Sequence, residues 1–172
     1  MRIKIFNKVL HYKHLDITIE KNIGGHKMEI STNGLTEILK NAKDINSFLQ
    51  ENESYITNPT LQEYLKKLLL LKGLKRQDVI RNAQLDSNYI NQLFSGIKTT
   101  PSRNQTLSLA FGFGLNNEET ARLLKIAKVG ALYPKNKRDA VIIHSLESGN
   151  SITQTNEILN SLEIETLANY KK

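Results

Sequence analysis

Residues 76–103, RQDVIRNAQLDSNYINQLFSGIKTTPSR, leave this chain few ways to fold. Val79, Ile80 and Ala83 share one face of a helix over Lys75 to about Gln84. Only two residues later Asp86 can cap a second helix, Ser87–Ser95, whose inward residues are Ile90, Leu93 and Phe94. Gly96 stops it. A basic loop with Lys98 follows. Then Pro101 and a capping box of Ser102 with Gln105 open a third helix. The layout aims one helix tip and one loop at the same partner. The second helix turns Ser87, Asn88, Asn91 and Gln92 outward, amide and hydroxyl side chains of the kind that pair with base edges.

The rest of the chain reads as helix from about residue 34. Leu35, Ile38, Leu39, Ala42, Ile45 and Leu49 fall at spacings of three and four, widened by Phe48, which predicts one helix to about Asn52. Asn58-Pro59 marks a turn. Thr60 with Glu63 is a capping box for a helix buried through Leu61, Tyr64, Leu65, Leu68 and Leu69 and ended by Gly73. Leu68–Leu71 reads as core. The helix after Ser102 runs through Leu107, Ala110 and Phe111 to Gly114. Asn116 with Glu119 opens another, buried through Ala121, Leu124 and Ile126-Ala127. Lys137–Leu146 is a short helix with Val141, Ile142 and Leu146 inward. Ser151 with Gln154 caps a last helix through Ile158, Leu159 and Leu162, and ETLANYKK reads as a frayed tail. Residues 1–30 are the least legible. Alternation at Ile3/Ile5 and at Leu15, Ile17 and Ile19 suits a small hairpin. An unstructured arm, or a true start at Met28, fits equally.

The charge of this 172-residue chain is uneven. Residues 1–59 carry 8 Lys/Arg against 7 Asp/Glu, residues 60–130 carry 11 against 5, and residues 131–172 carry 5 against 5. Nearly all of the net +7 lies on the segment that holds these two short helices, which favours an anionic partner there. The absence of cysteine excludes a disulfide framework and a thiolate site. No apolar run reaches the ~18 residues a membrane helix needs. The start lacks the pattern of a secretory leader, so a cytoplasmic protein is expected.

Residues 60–128 resemble the lambda-repressor-like, five-helix DNA-binding domain of the xenobiotic-response-element class of bacterial and phage regulators. The stretch YINQLFSGIKTTPSRNQTLSLAFGFGLNNEE carries most of the likeness: a tyrosine–isoleucine pair, a helix-ending glycine, a basic loop, Pro-Ser, then a helix ending in Phe113-Gly114-Leu115. Val79, Leu85, Ile90 and Leu93 occupy the class's apolar positions. Arg76 stands where glutamine is usual, Ile80 where a small residue is usual, and Gln84 where the turn glycine is usual. A non-glycine residue at positive φ there costs on the order of 1 kcal/mol.

The helical pattern predicts an all-α fold, with a helix and linker at 35–58 and a C-terminal helical extension at 131–172, behind an N-terminal arm or small hairpin at 1–34. The resemblance implies that residues 59–130 between them form a five-helix helix-turn-helix domain. It also implies that helix 87–95 enters the major groove of double-stranded DNA. Ser87, Asn88, Asn91 and Gln92 are then the base readers. With no Arg or Lys among them, A·T-rich contacts are expected, since Asn and Gln pair with adenine. Arg76, Lys98 and Arg103, helped by Thr99, Thr100 and Ser102, become phosphate contacts, which fix register without reading sequence. Tyr89 is compatible with a phosphate bond or with covering the core, and we read it as cover. The expected role is a transcriptional regulator, most simply a repressor, acting as a homodimer.

The extension is similar to that of a low-molecular-weight branch of these regulators and assigns no chemistry. Its amphipathic helices suit packing on the domain together with dimerisation, and the helix at 35–52 is a second candidate for partner contact. A different class remains open: a protein-interaction module, such as an antitoxin, inhibitor or adaptor, that reuses the fold with a protein partner. Catalysis has no support. His11 and His14 lack cysteine or acidic co-ligands for zinc, His26 and His144 are isolated, and the glycines lack the Lys-Ser/Thr signature of a phosphate loop. No cofactor, metal or membrane is expected.

Overall fold

The computed structural model describes residues 32–53, 55, 56 and 59–167. Every regular element among them is a helix: α1 (Thr32–Lys40), α2 (Ile45–Asn52), α3 (Leu61–Lys72), α4 (Arg76–Ala83), α5 (Ser87–Ser95), α6 (Arg103–Phe113), α7 (Asn117–Ile126), α8 (Lys137–Glu147) and α9 (Ile152–Ser161). The expectations for residues 1–30 lie outside the described residues. The chain divides into two compact units, residues 1–57 and 58–172.

In the first unit the single helix expected over 35–52 is two. Asp44 interrupts it with extended backbone (φ −151°, ψ 137°) and accepts the Ser47 N–H at 2.8 Å. A local cap thus outcompetes the longer apolar stripe, because Asp offers the backbone a partner that continued helix would not. The stripe is not buried as a line: Leu39, Ile45 and Leu49 are exposed, whereas Phe48 and Asn52 are buried. Asn52 satisfies its buried amide on the Phe48 carbonyl at 2.9 Å.

The second unit is one core shared by seven helices. Fully buried residues from α3 (Leu65), α4 (Val79, Ala83), α5 (Ile90, Leu93), α6 (Leu107, Leu109), α7 (Leu123, Leu124), α8 (Ile142) and α9 (Leu159) belong to a single apolar cluster. The capping boxes of Thr60/Glu63, Ser102/Gln105, Asn116/Glu119 and Ser151/Gln154 are all formed. Each satisfies two of the backbone N–H groups that a helix start leaves open.

The central crossing is that of α4 on α6. It is close because Gly112 has no side chain: a Cβ there would lie 2.7 Å from the Ala83 Cβ and 3.0 Å from the Val79 carbonyl oxygen. The helix backbones therefore meet almost directly, which fixes α4 and, through the short turn, α5. That turn is made by Gln84 in the left-handed conformation (φ 52°, ψ 37°). Its side chain reaches across to α9 and donates to Thr153 Oγ1 at 2.7 Å, which offsets part of the backbone cost.

Several boundaries differ from the sequence reading. On α3, Leu68 is buried, but Leu70 is 84% exposed and Leu71 is also exposed, so the four-leucine run is core only in its first half. On α7 the buried line is Thr120, Leu123, Leu124 and Ala127, and Ala121 faces solvent. Leu162 is exposed, and α9 instead buries Ile152 at its start. The tail is not frayed over 165–167. Arg138 donates to the carbonyls of Glu165 (2.8 Å) and Thr166 (3.1 Å), Leu167 N–H donates to Asn156 Oδ1 (2.8 Å), and the Leu167 side chain is buried.

Candidate nucleic-acid interface

The outward face of α5 is built by burying its opposite face. Ile90 and Leu93 are wholly inaccessible and Phe94 nearly so, and a helix anchored on that side must present positions 87, 88 and 91 to solvent. Ser87, Asn88 and Asn91 are exposed; Gln92, one step round, is half-buried. The start of the helix is fixed by Asp86, whose carboxylate accepts the Tyr89 N–H at 2.9 Å. The end is fixed by Gly96 at φ 79°. There Gln62 of α3 donates to the Phe94 carbonyl at 3.0 Å, and its Oε1 lies 2.9 Å from where a Cβ on Gly96 would sit.

The loop after α5 is held by a chain of contacts. Lys98 N–H donates to the Gln92 carbonyl at 3.1 Å, and its ammonium lies 4.7 Å from the centre of the Tyr89 ring. The Tyr89 hydroxyl donates to Gln105 Oε1 at 2.6 Å, the same oxygen that accepts the Ser102 N–H at 2.8 Å. Burial pushes the Tyr89 phenol pKa up, so the ring stays neutral beneath the lysine. Tyr89 therefore covers the core and braces the loop. Thr99, Thr100 and Ser102 are exposed along that loop.

Arg76 opens α4 and reaches α5. Its Nη1 donates to Asn91 Oδ1 at 3.1 Å, and its guanidinium carbon lies 4.8 Å from the centre of the Phe94 ring. Arg76, Ile80, Arg81, Ser87 and Asn91 line an open groove, with Leu69 alongside. Arg81 is paired with Asp78 at 2.9 Å.

Arg103 is placed differently from the role expected of it. Its guanidinium turns inward and donates to the Gly130 carbonyl (2.9 Å), the Ala131 carbonyl (3.1 Å) and the Asp139 carboxylate (2.8 Å). Asp139, on the first turn of α8, is 6% exposed and also accepts the Tyr133 N–H at 2.9 Å. A buried carboxylate needs such a partner, and the Arg103 guanidinium supplies it. Arg103 thus ties α6 to the loop before α8, and a phosphate would have to compete with three existing bonds for it. Sequence reasoning missed this because Asp139 lies 36 residues away.

The structure thus brings Ser87, Asn88, Asn91, Arg76 and Lys98 onto or beside the solvent face of α5, with Thr99, Thr100 and Ser102 on the adjoining loop. Among the described residues no group of three or more His, Cys, Asp or Glu could hold a metal ion, and no helix is long and apolar enough to cross a membrane. No protein-family profile, curated protein or solved structure matches this chain.

Proposed function

We propose that this protein binds double-stranded DNA sequence-specifically by laying α5 in the major groove, and that α3–α7 form a lambda-repressor-like five-helix unit for that purpose. The observation that carries the reading is the outer face of α5. It is rigidly seated, uncovered among the described residues, and made of hydroxyl and amide groups, with the Arg76 and Lys98 cations held against Phe94 and Tyr89. Hydroxyls and amides bind base edges directionally, and bound cations attract phosphate with little loss of side-chain freedom. The uneven charge supports the same reading, because residues 60–130 carry most of the positive excess.

In this scheme Ser87, Asn88 and Asn91 contact bases, with Gln92 at the edge of the contact. Lys98, Thr99, Thr100 and Ser102 meet the backbone, and release of condensed counterions supplies much of the affinity. Bound as a homodimer, the protein would set two copies of α5 about one helical turn apart on a palindromic site. Occupying such a site in a promoter makes it a repressor in the simplest case.

A second reading draws on Leu70 and Leu71, which stand exposed at the end of α3. Exposed adjacent leucines suit a protein partner, as in an antitoxin, inhibitor or adaptor. Selection of random duplex oligonucleotides by the purified chain separates the two. The DNA reading expects an enriched palindrome. Absence of enrichment together with a tight protein partner favours the second.

A further inference from the structure

We infer that Arg76 and Asn91 act as one reading unit that selects a guanine in each half-site, an inference that rests on the duplex-DNA reading above. An asparagine free to rotate offers one acceptor and one donor edge, the complement of adenine N6 and N7. Asn91 is not presented that way. Its Oδ1 accepts from Arg76 Nη1 at 3.1 Å, so the amide is turned with its oxygen toward the guanidinium. The guanidinium is itself held by Phe94, 4.8 Å away at the ring centre, and that ring is almost wholly buried and cannot swing aside.

What remains for a ligand is a set of donors. The Asn91 Nδ2 hydrogens make no hydrogen bond to the described residues, and Arg76 has further N–H groups beyond the one it gives to Asn91. Guanine presents two acceptors in the major groove, O6 and N7. Adenine would set its N6 amino group against these donors, and cytosine presents a donor of its own. Although α5 contains no Arg or Lys, α4 therefore supplies arginine chemistry to its face. The A·T-rich expectation drawn from the composition of α5 alone changes at the base pair that Asn91 contacts.

The test is duplex selection with the full chain and with Arg76→Ala, Arg76→Lys, Asn91→Ala, the Arg76→Ala/Asn91→Ala double variant and Asn88→Ala. The native chain should enrich a site with one G·C position per half-site. Changing that guanine to adenine should weaken binding by about ten- to a hundred-fold. Arg76→Ala and Asn91→Ala should each erase preference at that same position, the double variant should erase nothing more, and Asn88→Ala should relax a different position. Arg76→Lys keeps a cation near Phe94 but lacks the planar fork. It should retain the salt dependence and reduce the guanine preference without erasing it, since an ammonium also donates to guanine O6 and N7, which keeps the test valid if Arg76→Ala folds poorly. The inference is overturned if the position sensitive to Asn91 selects adenine, or if it keeps its preference undiminished in both Arg76 variants. In either case a duplex site is still enriched, and the DNA reading survives. If no duplex is enriched by the native chain, both fall together.

Discussion

Arg103 on the first turn of α6 and Asp139 on the first turn of α8 are bonded at 2.8 Å, with the carboxylate almost wholly buried. Arg103→Ala would leave that carboxylate with only the Tyr133 N–H, and would free the Gly130 and Ala131 carbonyls. Removing one partner of a buried pair costs about 3–5 kcal/mol, and because Arg103 keeps some exposure we expect about 2–4. Thermal unfolding followed by circular dichroism should show the loss. If the protein binds duplex DNA as proposed, the salt slope of that binding by the folded fraction should not change. A flattened slope with unchanged stability would return Arg103 to the phosphate contacts.

Gly112→Ala should destabilise the second unit even though alanine is the better helix former. The propensity gain is about 1 kcal/mol. Against it, the new methyl would lie 2.7 Å from Ala83 Cβ and 3.0 Å from a backbone oxygen, neither of which can move without shifting α4. Overpacking of this kind costs about 1–3 kcal/mol, so a net loss is expected. Denaturant unfolding checks it, and an increase in stability would mean that the α4–α6 crossing is looser than the distances state.

On an enriched duplex site, Lys98→Ala should reduce the log–log salt slope by about 0.9, the value of one phosphate contact. Its weakening should be similar for all sequences. Asn88→Ala should instead cost about 1–3 kcal/mol on the best site and little on others. Fluorescence anisotropy titrations at several salt concentrations distinguish the two patterns, and an exchange of patterns would reverse the assignment.

Acid should weaken the start of α3. The Thr60 N–H, joined by the Thr60 hydroxyl, donates to the Glu63 carboxylate and holds its pKa below the ordinary glutamate value. A depressed pKa gives stability that is present above the unfolded value and is lost as pH falls through the folded one. Glu63→Gln keeps an acceptor but cannot titrate. The stability gap between the native chain and Glu63→Gln should therefore be widest near neutrality and narrow as pH falls below the ordinary glutamate range. A gap that is independent of pH would remove the carboxylate from the cap.

Much of the second unit could be read directly. Helix starts are set by residues three apart, so Thr60/Glu63, Ser102/Gln105, Asn116/Glu119 and Ser151/Gln154 were visible without any tertiary knowledge. The buried face of α5 followed from the spacing of Ile90, Leu93 and Phe94. Side-chain partners distant in sequence were not visible. Periodicity says that Arg76 and Arg103 are near the motif, but not that one meets Asn91 across a turn while the other turns inward to Asp139. Asp44 shows the opposite failure, where an apolar stripe was legible and a single capping side chain overrode it. The Leu68–Leu71 run failed for a simpler reason: four consecutive residues point to all sides of a helix, so they cannot all be core.

The anchoring of Leu167 bears on how the protein can be shortened. A chain cut at Ser161, where regular helix ends, would deprive Arg138 of two carbonyl acceptors and Asn156 of its backbone donor, and would open an apolar socket to water. Minimal fragments for crystallisation or fusion should therefore retain every residue through 167.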